Sequence, residues 1–135
     1  MKKYILLLLL FSLLAIVTGC STKQMNTQKI RDVDFTVVKE EHVPEELKEM
    51  IKQKEEAPFK LTYADNGILY IAEGYGEKPT SGYSAQVDEC YETANAIYIH
   101  TNLLGPSKEE EVVETKVCPY VVIKMEFVEK NVVFK

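Results

Sequence analysis

Cys20 is the residue whose surroundings define its chemistry most sharply. It follows Met1-Lys2-Lys3, a nearly unbroken apolar run from Tyr4 to Val17, and the small pair Thr18-Gly19. A basic start and a short apolar core mark an export signal, because such a core falls short of the ~20 residues that span a bilayer. The small residues admit a peptidase. A cysteine thiolate is a nucleophile, and at this depth it is suited to accept a lipid before cleavage leaves it at the new N-terminus. A diacylglyceryl group with chains such as palmitate anchors stably, since two chains at about 0.8 kcal/mol per buried methylene hold where one exchanges. The pattern predicts a lipoprotein signal peptide over residues 1–19. It also predicts an exported chain, lipid-anchored at Cys20 to the outer face of the bacterial cell membrane or of an outer membrane.

The other residues able to do chemistry are few. Cys90 and Cys118 sit in a chain expected in a disulfide-permissive compartment. Strand alternation puts Cys90 with Ser84, Gln86 and Asp88, and Cys118 with Lys116, Tyr120 and Lys124, on the wetter faces. Two readings stay open: a bridge contributing roughly 3–4 kcal/mol in the loop-entropy model, or two free thiols. His42 and His100 are distant in sequence, and no Cys-x-x-Cys or His-x-x-x-His spacing occurs, so no metal is expected. His42 reads as a polar lead into a helix, and His100 as a solvated or hydrogen-bonded strand residue. Ser81 or Ser84 near His100 is the one combination a hydrolase could use, and no triad signature accompanies it. The run Glu109-Glu110-Glu111 with Glu114 reads as a solvated loop, and Gly74, Gly76 and Gly82 as turn residues without a phosphate-binding pattern. The chain reads as non-enzymatic, with no cofactor.

Removing residues 1–19 takes away Lys2 and Lys3 and no acid, so 16 basic residues become 14 against 21 acidic ones, a formal −7. That charge argues against nucleic acid as a partner and against adsorption to anionic lipid, so attachment to a membrane falls to the lipid. The remaining length suits one domain. Residues 20–32 read as the lipidated N-terminus and a flexible spacer, and residues 33–135 as a single globular domain.

Within that domain, Asp34 to Lys39 alternates as a first strand. Pro44, Glu45 and Glu46 open a helix whose apolar face holds Val43, Leu47, Met50 and Ile51. Phe59 to Tyr63 and Ile68 to Glu73 flank Asp65-Asn66-Gly67, a hairpin signal. Strands follow from Gly82 to Tyr91, Ala94 to Thr101, within Val112 to Phe127, and Asn131 to Phe134. Pro119 lacks a ladder donor and belongs at an edge or bulge. The fold class is α+β: a mainly antiparallel sheet or sandwich with one amphipathic helix. Among the tyrosines, Tyr75 and Tyr83 bracket a loop and suit a surface contact.

The stretch Gly76-Glu77-Lys78-Pro79-Thr80-Ser81-Gly82-Tyr83-Ser84, then Gly105-Pro106, then Val117-Cys118-Pro119-Tyr120-Val121-Val122, resembles the C-terminal domain of PrcB-type protease-complex subunits. That domain typically reads as a Pro-Thr-Gly-Gly-Tyr element, a strand pair and a Pro-Tyr element, and here it would cover about residues 70–127. Ser81 stands where the family often has glycine, and Cys118 precedes the Pro-Tyr element. The resemblance implies a small exported lipoprotein that associates with and stabilises a protein partner such as an exported protease. The contact would run through Tyr75, Pro79, Thr80, Ser81, Gly82, Tyr83, Pro119 and Tyr120. A small-ligand-binding lipoprotein with a pocket beside Tyr75 and Tyr83 is the alternative.

Overall fold

Asn66 and Gly67 both adopt positive φ, 48° and 78°, the geometry a two-residue hairpin turn needs to match the twist of its strands. The turn joins β3 (Pro58–Asp65) to β4 (Ile68–Tyr75), paired in register from Pro58 opposite Tyr75 to Asp65 opposite Ile68. The computed structural model describes residues 28–135, and the expected signal peptide, Cys20 and the first part of the expected spacer lie outside the described residues.

The other strands are β1 (Lys29–Asp32), β2 (Thr36–Val37), β5 (Ser84–Thr93), β6 (Ala96–Leu104), β7 (Tyr120–Glu126) and β8 (Asn131–Phe134). They form two four-stranded sheets, ordered β1-β5-β6-β8 and β2-β7-β4-β3. Every strand pairing is antiparallel except β6 with β8. Alternation sends Leu69 and Ile71 of β4, Val121, Ile123 and Met125 of β7, and Ile97 and Ile99 of β6 into one core between the sheets.

The helix α1 (Glu45–Lys54) closes the outer face of the second sheet. Leu47 and Ile51, one turn apart, bury with Val43 against Phe59, Ala72 and Val122, while Glu45 and Glu46 occupy the first turn and Lys52 and Lys54 the last. The predicted α+β sandwich with one amphipathic helix is the observed fold. Among the described residues no helix is long and apolar enough to cross a membrane.

Most strand ends shift by two or three residues from the sequence reading, and three boundaries differ for a physical reason. The sheet starts at Lys29, inside the expected spacer, because the backbone of Lys29–Asp32 pairs with Tyr91, Glu92 and Thr93, and Arg31 meets Glu92 at 2.6 Å. No apolar alternation marks this strand, since all four of its residues are exposed. The strand expected over 34–39 shrinks to Thr36–Val37: Val33 still bonds Cys90 of the first sheet, and the chain then crosses to pair with β7. The strand expected within Val112 to Phe127 begins only at Tyr120, after Pro119. Proline has no N–H to give a ladder, so it stands just before the strand.

Candidate functional site

Both segments that carry the Pro-Thr-Ser-Gly-Tyr and Pro-Tyr elements lie at the same end of the sandwich. Gly76, with φ 76°, turns the chain out of β4. The loop it opens is zipped to residues 112–119: Lys78 and Val117 exchange backbone bonds of 2.7 and 3.0 Å, and the Glu77 carboxylate meets Lys116 Nζ at 3.1 Å. Further along, Ser81 holds Val113 twice. Its N–H donates to the Val113 carbonyl at 3.0 Å, and its hydroxyl oxygen accepts the Val113 N–H at 2.9 Å. Thr80 Oγ1 donates to the Ser81 carbonyl at 3.0 Å. Gly82 has φ 95°, and a Cβ there would sit 2.7 Å from Pro106 Cβ, so glycine is required both by conformation and by space. Gly105 lies under the Tyr83 ring. Residues 79–83, Gly105-Pro106 and Val112 to Pro119 thus form one cross-braced loop cluster.

Tyr75 and Tyr120 face elsewhere. Tyr75, at the end of β4, donates its hydroxyl proton to Thr101 Oγ1, because the single Thr101 proton is directed to Glu73 Oε2 at 2.7 Å. Burial raises the Tyr75 phenol above its ordinary value. Tyr120 packs on the helix side of the sheet, its ring 6.4 Å from that of Phe59, and burial raises its phenol too. Tyr75 lines an open hollow of about 380 Å³ with Pro58, Phe59, Lys60, Glu73 and Gly74, whereas Tyr83 packs on Gly105. The two tyrosines that bracket the loop in sequence therefore do not line this hollow together.

The face assigned to Cys90 changes. Between Val87 and Glu89 the β5–β6 register slips, and the extra residue reverses the alternation. Ala85 and Val87 point into the core before the slip, and Cys90 does so after it, 4% exposed. Burial pushes its thiol up to about 11. Cys118 is half-buried in the loop before β7, beside Val38, Ala85 and Tyr120. Both thiols are free.

His100 Nδ1 lies 2.9 Å from Asp88 Oδ2, and Ser84 pairs across the ladder with Leu104, four residues along β6 from His100. His42 ends a short 3-10 turn, Glu40–His42, ahead of α1. Among the described residues no group of three or more His, Cys, Asp or Glu is arranged to hold a metal ion.

Two features escaped the sequence reading. Leu104, Val112 and Val113 are exposed at the loop cluster, Val113 at 65%. Val112 and Val113 fall in the stretch expected to hold a strand, and no local signal separates that from a loop pinned by Ser81. At the far end of the first sheet, Glu92 accepts bonds from Arg31 at 2.6 Å and Lys130 at 2.7 Å. Its burial inside a strand with such distant partners has no local signature either.

No curated protein and no solved structure matches the chain. The segment that carries the loop cluster, from β4 to β7, matches the family model described as PrcB C-terminal over residues 69–126.

Proposed function

We propose that this chain is a non-catalytic envelope lipoprotein, anchored through a lipid on Cys20 to the outer face of the bacterial cell membrane or of an outer membrane. Its sandwich binds and stabilises a protein partner, such as an exported protease, through the loop cluster. The observation that carries the reading is the bracing of residues 79–83 against residues 105–119, which fixes an irregular surface at one end of a rigid sheet. The match to the PrcB C-terminal family over the same segment supports a protease-complex role.

The direction of the chain supports a tethered arrangement. β1 begins opposite Thr93, and the loops leave from Ser84 and Leu104 at the other end of β5 and β6. At ~3.3 Å per residue, the ten residues of β5 separate the two ends by roughly 30 Å. A tether that joins at Lys29 enters at the end of the sheet opposite the loops, so it does not cover them.

Lysine-directed crosslinking of the full-length chain in intact cells, followed by mass spectrometry, tests the reading. A protein recovered with the wild-type chain and lost with Gly82→Val, together with release of Cys20→Ser from the membrane fraction, is the expected result. Failure to recover any protein in repeated experiments refutes the binding role, and membrane retention of Cys20→Ser refutes the anchor.

A further inference from the structure

We propose that Val113, held in place by Ser81, is the anchor of a docking face for a protein that offers an apolar pocket bordered by lysine or arginine. This inference rests on the protein-binding reading and specifies the contact and the chemistry of the partner.

An exposed valine on a loose loop is ordinary, because single apolar residues are common on surfaces. Val113 is neither isolated nor loose. Both its backbone N–H and its carbonyl are bonded to Ser81, 32 residues earlier in the chain, and Val112 packs its Cγ1 toward Gly82. Two residues on, Thr115 N–H donates to the Val113 carbonyl at 2.9 Å, which fixes the turn beyond it. Before it, Ser107 to Glu110 is closed by a backbone bond of 3.1 Å and by the Glu110 carboxylate accepting the Ser107 N–H at 3.3 Å. A partner that takes up the Val113 side chain meets backbone already ordered, and that lowers the entropy of association.

Val112, 39% exposed, is the neighbouring residue in the chain, and Leu104, 40% exposed, precedes the Gly105-Pro106 pair of the same loop cluster. Glu109, Glu111 and Glu114 are exposed on either side of the two valines in sequence, with Lys108 the nearby cation. Lys116 is drawn off by Glu77. This rim selects the occupant. A phosphate-rich or anionic lipid surface meets like charge, and an uncharged pocket would desolvate carboxylates without pairing them. Basic residues around an apolar pocket satisfy both parts of the surface.

Ser81 is a positioning residue here. An alanine or glycine at 81 keeps the backbone N–H bond to Val113 and loses the hydroxyl acceptor, leaving the Val113 N–H to water.

The test uses the full-length exported chain in intact cells, with photoreactive benzoylphenylalanine in place of Val113 in one strain and of the exposed Lys52 on α1 in another. An adduct from position 113 and none from 52 is expected, with the joined partner peptide carrying an apolar residue flanked by Lys or Arg. With that partner purified, Val113→Glu weakens binding by at least about tenfold. Ser81→Ala weakens it about threefold to tenfold. Val113→Glu keeps the wild-type thermal midpoint, Ser81→Ala lowers it by about 5 °C at most and leaves the chain folded at the assay temperature, and the wild-type complex weakens as salt is raised. A partner joined only at 52, or joined at 113 through a peptide without basic residues, overturns the docking face and leaves the protein-binding reading in place. No adduct from either position overturns the docking face, and if lysine-directed crosslinking also recovers nothing, the protein-binding reading falls with it.

Discussion

Gly74 is the position where one added methyl group should be felt most. It lies on β4 directly opposite Phe59 of β3 and Tyr120 of β7. The Phe59 ring covers it so closely that a Cβ would sit 2.1 Å from Cε1, 2.5 Å from Cδ1 and 2.7 Å from Cζ. The ring is itself confined: Phe59 is buried in the cluster under α1, with Leu47, Ile51 and Val122, and the Tyr120 ring lies 6.4 Å away, tilted by 47°. Gly74→Ala must therefore push the ring into packed neighbours, at about 1–3 kcal/mol for overpacking. Against this, alanine restricts the unfolded chain and recovers about 0.4–1 kcal/mol. The net expectation is a loss of about 1–2 kcal/mol, which lowers the thermal midpoint of a domain this size by roughly 5–10 °C. Urea and thermal unfolding of the purified chain measure it, with Phe59→Leu and the double variant completing a cycle. Because leucine in place of the Phe59 ring is smaller and relieves the clash, the double variant should be more stable than the sum of the single losses predicts, by about 1 kcal/mol. An unchanged or raised midpoint for Gly74→Ala, or additive losses, refutes the placement of the ring over Gly74.

Three further outcomes follow from the same packing. The bond from Lys130, and then that from Arg31, holds the Glu92 carboxyl below its usual value against the opposing effect of burial. A carboxyl depressed by folding contributes stability above its unfolded value near 4.5, lost as pH falls through the lower folded value. Glu92→Gln should cost about 1–3 kcal/mol at pH 7, and the gap to wild type should close on acidification in urea titrations, with a gap that persists at pH 2 arguing against the ion pair. In thiol labelling of the native chain, Cys118 should react slowly and Cys90 only after unfolding, and a mass without reductant that lacks two hydrogens would indicate a bridge instead. Gly67→Ala, where a Cβ finds nothing within 4 Å, should cost about 1 kcal/mol for positive φ alone, whereas Gly82→Ala must also displace Pro106 and should cost at least about 1 kcal/mol more; equal losses in urea unfolding would mean that Pro106 yields freely.

What was legible in the sequence was whatever is encoded over a few neighbouring residues. Asp65-Asn66-Gly67 is its own turn, and Val43, Leu47 and Ile51 repeat at helical spacing because the same helix face is buried throughout. The errors occur where a distant contact decides. Strand alternation assigns Cys90 correctly only if β5 is regular, and one extra residue between Val87 and Glu89 turns every later side chain over. Lys29–Asp32 forms a strand without an apolar face because β5 supplies the hydrogen bonds and Glu92 the ion pair.

The loop cluster belongs to the same class. Ser81 and Val113, Lys78 and Val117, and Gly82 and Pro106 are each separated by more than twenty residues, so each half looks like an ordinary polar loop or a frayed strand when read alone. The motif residues were visible, and what they hold was not. Pro79 to Tyr83 act here chiefly as the clamp, and the side chains they present to solvent come from the other loop, at Val112 and Val113. A motif recognised by its glycines and proline thus marks the support of a surface, and the residues of the proposed docking face come from the segment bonded to it.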